Sequence, residues 1–426
     1  MQRRYVKLVK AHMSPSSSTR TGPAIAADGT AGATATQAAW RFFSNDRVDL
    51  PALAQPLRDA GRIGCMQSES EFVLLVHDWS KLDYKAHQAK KDTLQLTHEH
   101  DIGYDLTTAL LIDAHTGSPL APMQMHVRTA RAVHSTSQNP PSVDAHHLDQ
   151  LRPTMDEVAD WNLPRQVVHV IDREADSLGD FRAWNQAGHW FLVRCDDRRV
   201  LWNGESWLIS EMVEHFDQSE AFQDVREVQF QGTVARQEVA EAAIVLHRPH
   251  KTRIDGKQHS ITGELLEIRL IAARVVDADG YILAEWTLLT NVSQAGADAA
   301  QVALWYYWRW RIESFFKLLK GHGLAVEHWR QESGEAITRR LLVAAMACVV
   351  VWNLQRKETP EAVETKTMLV RLSGRRMKRG VHATAPALLA GYFVMLSMCD
   401  LLEHTNYDLR KVKSLAANAF SIFDTS

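Results

Sequence analysis

Residues 306–320 read YYWRWRIESFFKLLK, and the spacing within this run decides how the rest of the chain is read. Tyr306, Arg309, Glu313, Lys317 and Lys320 recur at steps of three or four, which at roughly 100° per residue gathers them into an arc of about 80°. Trp305, Trp308, Ile312, Phe315, Phe316 and Leu319 fill the adjacent arc, so the run predicts one helix with a buried aromatic face. A lone carboxylate is then held among a phenol, a guanidinium and two ammonium groups. That combination suits holding a metal ion and a phosphodiester in one place. On an arbitrary helix the same pattern is more often a solvated charged face, so the surrounding sequence has to decide.

The 426 residues are 45% hydrophobic, enough for roughly two to four modules with sizeable cores. A net charge of −3 excludes a globally basic nucleic-acid binder, so any polyanion must be met by local patches. Cys65, Cys195, Cys348 and Cys399 are far apart with no C-x-x-C pair, which argues against a zinc site or a disulfide framework and for a reducing cytoplasm. Met1 to Met13 is basic and lacks the apolar core of a signal peptide. The most apolar runs, Leu341–Trp352 and Ala387–Met398, fall short of the roughly 20 residues a bilayer span needs and read as buried helices.

Along the chain, residues 14–36 are rich in Ser, Thr, Ala and Gly and read as a mobile stretch. Leu53–Arg62 predicts a short helix with Pro56 in its first turn. Glu71–Val76 is a short strand ending near Asp78. Leu106–Ile112 and Leu120–Val127 flank the turn signal DAHTGS and predict a hairpin. Val143–Trp161 is helical with Pro153 placed to break it, Gln166–Ile171 is a β-branched strand ending at Asp172, and a helix from Asp176 to Gln186 leads to a strand at Trp190–Cys195. From Asp196 the pattern turns all-β, with strands at Val225–Val234, Ala242–His247, Leu265–Val276 and Tyr281–Thr290. Helix resumes at Asp298, an N-cap with Gln301 placed as in a capping box, and Gly321 is its stop. Beyond Glu335 the chain is helical apart from the basic segment RLSGRRMKRG at 371–380.

Strand, hairpin, helix, strand, helix, strand and a late helix is the order of a ribonuclease-H-like sheet. Such a sheet puts carboxylates at the middle or end of the first strand, at the end of the fourth, and on the late helix, where Asp78, Asp172 and Glu313 stand. Three carboxylates suit Mg²⁺ or Mn²⁺, two of which can activate a nucleophile and stabilise a leaving oxygen. Each acid also has a plain reading: Asp78 can simply end a strand as Asp113 does, and Asp172 and Asp176 can cap a helix. His98 and His100 in THEHD read as surface residues.

Asp172 to Asp176 spells DREAD, Tyr306, Arg309, Glu313 and Lys320 satisfy Y-x2-R-x3-E-x6-K, and Trp286 opens WTLLT about twenty residues upstream. Together these motifs resemble the bacterial cut-and-paste DDE transposases of the insertion-sequence-four group, from about Ala38 to about Glu403. The resemblance implies an α/β fold: an N-terminal DNA-binding region (1–66), a ribonuclease-H-like core (67–195 and 291–335) interrupted by a β-rich insertion (196–290), and a helical C-terminal region for self-association (336–426). It makes Asp78, Asp172 and Glu313 the catalytic and metal-binding triad for two Mg²⁺ or Mn²⁺ ions. Tyr306, Arg309 and Lys320 match residues that grip the transposon-end strand, and Arg194 in FLVRC matches another phosphate contact. Trp286 matches the aromatic on which a flipped base stacks; Lys317 joins this DNA-binding set by its place on the helix. The implied partners are terminal inverted repeats, target DNA and a second copy of the chain, in the cytoplasm at the nucleoid. The N-terminus departs from the pattern, since the stretch before TQAAWRFF is short and leaves an initial end-binding helix missing or degenerate. Two rivals stay open, a non-mobile DNA-binding relic and a glycosidase with paired carboxylates acting without metal.

Overall fold

The computed structural model describes residues 2–12, 29–230, 232–254, 257–321, 324–378, 380–404, 408–411 and 413–414. Helices α1 (Gln2–His12), α2 (Gly29–Phe43) and α3 (Leu50–Gln67) come first, then strands β1 (Phe72–Asp83), β2 (Leu94–Gln95), β3 (Ile102–Asp113), β4 (Pro119–Arg128) and β5 (Val133–Ser135). Next come α4 (Leu151–Asp160), β6 (Gln166–Ile171), α5 (Leu178–Gln186), β7 (Trp190–Arg194), β8 (Arg199–Trp202), β9 (Glu205–Leu208) and α6 (Ile209–Gln218). Six strands follow: β10 (Gln223–Phe230), β11 (Thr233–Leu246), β12 (His250–Ile254), β13 (Lys257–Ile261), β14 (Leu266–Val276) and β15 (Ile282–Thr290). The chain then turns helical with α7 (Ala299–Trp308), α8 (Trp310–Lys320), α9 (Gly334–Arg356), α10 (Pro360–Leu372) and α11 (Ala385–His404).

Thirteen strands form one mixed sheet whose main path runs β5-β4-β3-β1-β6-β7-β15-β14-β11-β8-β9, with β2 on β3 and β10 on β11. β1, β6 and β7 are parallel neighbours, flanked by the antiparallel β3 and β15. The strands after β7 therefore extend the central sheet through the β15–β7 pairing, while β12 and β13 make a separate hairpin. Parallel strands are buried on both faces, and Val73 to Val76, Val168 to Ile171 and Phe191 to Val193 are buried accordingly.

Alternation along β4 shows what covers each face. Met123 lies under Gly61 of α3, where an added Cβ would come within 2.3 Å of its sulfur. Gln124 instead donates to Glu157 of α4 at 2.7 Å. On that α4 side sits a set of buried histidines: His126 on β4, and His77 on β1 bonded to His169 on β6 at 2.9 Å. His189, just before β7, bonds Asp156 of α4 at 2.7 Å. α9 is long and apolar enough to cross a membrane, but most of it is buried inside the protein. It also carries the buried Arg339, which donates to the Val48 and Phe43 carbonyls at 2.9 and 3.1 Å.

Several expectations need correction. A helix, α1, does open the chain, and α2 takes up residues 29–36 of the stretch read as mobile; residues 14–28 lie outside the described residues. α3 begins at Leu50 because Asp49 accepts the Ala52 N–H at 3.0 Å and Pro51 supplies the first turn, so Pro56 sits inside the helix, outweighed by the buried Leu50, Leu53, Ala54 and Leu57. Pro153 does not break α4: it lies in the first turn, where its missing N–H has no intrahelical partner to lose. β1 runs on to Asp83, leaving Asp78 in mid-strand. The stretch after Asp196 is not all-β, since α6 interrupts it, and Val225–Val234 is split between β10 and β11. Asp298 caps α7 by accepting the Gln301 N–H at 2.7 Å, but the Gln301 side chain donates to the Ala114 carbonyl, so no capping box closes.

Candidate active site

The run 306–320 is two helices that meet at Arg309, where the backbone tightens: the Arg309 N–H donates to Tyr306, three residues back, at 3.0 Å. Its apolar arc is buried as expected, Trp305, Trp308, Ile312, Phe315, Phe316 and Leu319 all lying in the core. The polar arc divides. Lys317 is exposed and Glu313 and Lys320 are half-buried, whereas Tyr306 and Arg309 are 2% and 6% exposed. These two do not face water; they face carboxylates.

Three acids reach Arg309 from three elements. Nη1 lies 3.1 Å from Asp78 Oδ2 of β1, and Nη2 lies 3.4 Å from Asp172 Oδ2 and 3.6 Å from Glu313 Oε1. The sheet register accounts for the meeting. Val76 pairs with Val170 and Ile171 with Val193 in parallel ladders. Continuing each strand past those pairs brings Asp78, in mid-β1, alongside Asp172 and Arg194 at the carboxyl ends of β6 and β7, where α/β sheets bind ligands. α8 packs across β1 and adds Glu313. Asp172 also accepts the Arg173 N–H at 2.7 Å, capping the short turn Arg173–Ala175, and the Tyr306 hydroxyl at 3.0 Å. Asp176, the other acid of DREAD, points elsewhere, into an ion pair with Arg198. Asp83, at the far end of β1, accepts from Lys85. His98 and His100 are exposed, as expected.

Burial dominates the electrostatics. It pushes the Asp78 carboxyl above its ordinary range despite Arg309, and pushes Glu313 up as well, with Arg309 opposing and Asp78 adding to the rise. Asp172 is also raised by burial, but Arg309, the Arg173 N–H, the Tyr306 hydroxyl and Arg194 together hold it below the usual carboxylate range. The same burial and the neighbouring Asp172 push the Tyr306 phenol well above normal. Arg309 is therefore a fixed cation at the centre of three carboxylates.

The sequence matches the model of the transposase DDE domain over residues 73–350, from β1 into α9 and across all three acids. The chain belongs to this family of transposases. No curated protein matches it. The family's chemistry is transposition of DNA, and its members generally use divalent metal ions. In this transposase the donor set fits such ions in kind: hard carboxylate oxygens already gathered round one positive charge. Among the described residues, however, no three His, Cys, Asp or Glu side chains are close enough together to hold an ion as they stand.

An open groove of about 670 Å³ runs beside two of the acids, lined by Asp78, Trp79, Ser80, Glu313, Phe316, Lys317, Lys320 and Gly321. Lys320 pairs with Glu327 at 3.5 Å and donates to the Lys81 carbonyl. On the other side of α8 lies a cleft of about 640 Å³ whose charged lining is Arg311, Lys317, Arg356 and Arg375, the last from the basic segment 371–380. Trp286 is 7% exposed, its ring 6.4 Å from Phe230 and 6.2 Å from Tyr306. Trp286→Ala is accordingly expected to lower stability by about 3 kcal/mol, measured by denaturant unfolding; a loss below about 1 kcal/mol would show that the ring carries little of this packing. The sequence reading missed Trp310, which stands 47% exposed beside Arg309. Its signal was present, a tryptophan bordering the polar arc instead of the apolar one.

Proposed function

We propose that this transposase performs cut-and-paste transposition of an insertion sequence through one site formed by Asp78, Asp172 and Glu313 in a ribonuclease-H-like core. The convergence of those three acids on a single guanidinium carries the reading. The sheet order β4-β3-β1-β6-β7 supports the core assignment, with an antiparallel meander followed by strands parallel to the first. Asp78, Asp172 and Glu313 would hold one or two Mg²⁺ or Mn²⁺ ions, which when bound acidify water and stabilise a departing phosphate oxygen. Arg194, Lys317 and Lys320 neutralise phosphate charge around the groove, and Tyr306 orients Asp172. One strand is nicked at the element's end, the freed 3′ hydroxyl attacks the opposite strand to form a hairpin, and after opening the same hydroxyl attacks target DNA. The β-rich segment 196–290 and the helical region 336–426 complete the proposed domain order behind the N-terminal region 1–66. Exposed Val363, Met368, Val394 and Met398 on α10 and α11 suit the proposed pairing of two copies on two element ends.

A base drawn out of the hairpin needs an aromatic face, worth about 1 to 3 kcal/mol in stacking. Trp286 is the proposed surface and Trp310 the exposed alternative. Whichever serves should, as Ala, lose hairpin formation or opening while first-strand nicking persists. If both variants retain every step, no stacking role remains for either.

Phosphate contacts release counterions, so affinity for duplex DNA should fall steeply with salt. Lys317→Ala, between groove and cleft, and Lys320→Ala should each make the plot of log affinity against log salt shallower by about one unit. Fluorescence anisotropy across a KCl series reads this directly, and unchanged slopes in both variants would remove Lys317 and Lys320 from the phosphate-binding set.

A further inference from the structure

Arg309 does more than complete a charge count. Its guanidinium contacts all three acids, at 3.1, 3.4 and 3.6 Å. It is buried, and its Nε has no hydrogen-bond partner. The three carboxylates surround this one flat cation, and as they stand they do not form a group that could hold an ion. Nη1 donates to Asp78, while Asp172 and Glu313 are held as ion pairs, and a metal ion entering among these oxygens would meet the repulsion of the guanidinium charge. One guanidinium against three carboxylates leaves the cluster short of positive charge. A guanidinium also pairs bidentately with phosphate, through the same fork that here serves the carboxylates.

We propose that Arg309 is the resident counter-ion of the acid cluster, and that it excludes divalent ions until a DNA phosphate draws the guanidinium away, so that ion loading follows DNA binding. The inference rests on reading Asp78, Asp172 and Glu313 as the ion site. It gives a DNA-cutting site a way to stay unloaded until substrate is present. It also gives α8 its geometry: the tightened turn at Arg309 sets the guanidinium between Glu313, one turn onward, and the strand-borne acids. The coupling is reciprocal, so ions must raise the affinity for DNA by the same factor that DNA raises the affinity for ions.

The test is Mn²⁺ titration of the whole protein followed by electron paramagnetic resonance, with and without a mixed-sequence duplex. Asp172→Asn serves as the blank for ions held by DNA alone. Wild type without DNA should bind Mn²⁺ about tenfold or more weakly than Arg309→Gln, and duplex should close that gap in wild type while leaving Arg309→Gln nearly unchanged. Because removing a buried cation can unfold the site, Arg309→Lys is measured alongside. It keeps the charge but loses the fork, and should give an intermediate affinity. Its melting temperature should rise more on adding Mn²⁺ than that of wild type. Equal Mn²⁺ affinity in free wild type, Arg309→Gln and Arg309→Lys, or tightening by DNA that persists without Arg309, would overturn the proposal while leaving the three-acid site standing. Absence of Mn²⁺ binding in every form, even on DNA, would remove the ion site itself and the proposal with it.

Discussion

Changing Asp78, Asp172 or Glu313 singly to Ala should lower DNA strand cleavage by about a thousandfold or more, with duplex binding kept or slightly tightened. On the proposed reading each acid supplies hard oxygen from a different element, so no neighbour can replace it. Loss of one well-placed charge-stabilising group typically costs about a hundredfold to a thousandfold in rate, and losing an ion's ligand removes more than one such group. Binding should survive because Arg309 keeps two of its three partners in each variant, and one fewer carboxylate repels the DNA backbone less. The fold should survive best in the Asp78 and Glu313 variants, whose carboxyls are already pushed up by burial, while Asp172→Ala should cost some stability because it leaves the Arg173 N–H and the Tyr306 hydroxyl without their acceptor. Cleavage by gel assay and binding by anisotropy on the same preparations separate the two effects. Normal cleavage by Asp78→Ala would show that the first acid lies elsewhere, Asp83 being the next to test.

The second large effect is acid lability. Burial pushes His77 down to about 3 and His126 down to about 4, and holds His169 well below its ordinary value. In the folded protein these side chains stay neutral, while in the unfolded chain they take up protons below about pH 6.5. The unfolded state then binds more protons, so stability is fully present above that pH and is lost as pH falls toward 4. Three such groups give a steepest slope of about 4 kcal/mol per pH unit, before any contribution from carboxylates. Chemical denaturation at roughly half-unit steps between about pH 7.5 and 4.5 should show the midpoint collapsing over this window. His126→Gln, which removes one titrating ring, should flatten the slope by about a third. A midpoint that does not move between pH 7 and 5 would show that these rings are hydrated or already protonated.

How much of this was legible in the sequence depends on whether the signal is local. The strand-end place of Asp172 was readable because Gln166–Ile171 is a short β-branched run ending where β6 ends, and the helical place of Glu313 because the apolar arc around it is unambiguous. Asp78 was harder: β1 continues five residues beyond it, so no strand end marks it. α6 left a signal that the surrounding strands masked, with Ile209, Met212 and Phe216 buried at helical spacing. The direction of the polar arc at 306–320 could not be read at all. A stripe of Tyr, Arg, Glu and Lys looks the same whether it faces water or two aspartates from a neighbouring sheet. Only the pairing of β1 with β6 brings those aspartates to Arg309. The histidine set is invisible for the same reason, since His77, His126, His169 and His189 share no local pattern and meet through strand order.

Cleavage of DNA carrying this reading frame with its flanking sequence, with cut positions mapped to the nucleotide in Mg²⁺, in Mn²⁺ and with chelator, tests the central claim most directly. The three-acid transposase site predicts breaks confined to the two boundaries of the element, present with either ion, absent with chelator and absent in Glu313→Gln. Breaks that persist under chelation, or that Glu313→Gln still makes, would contradict it.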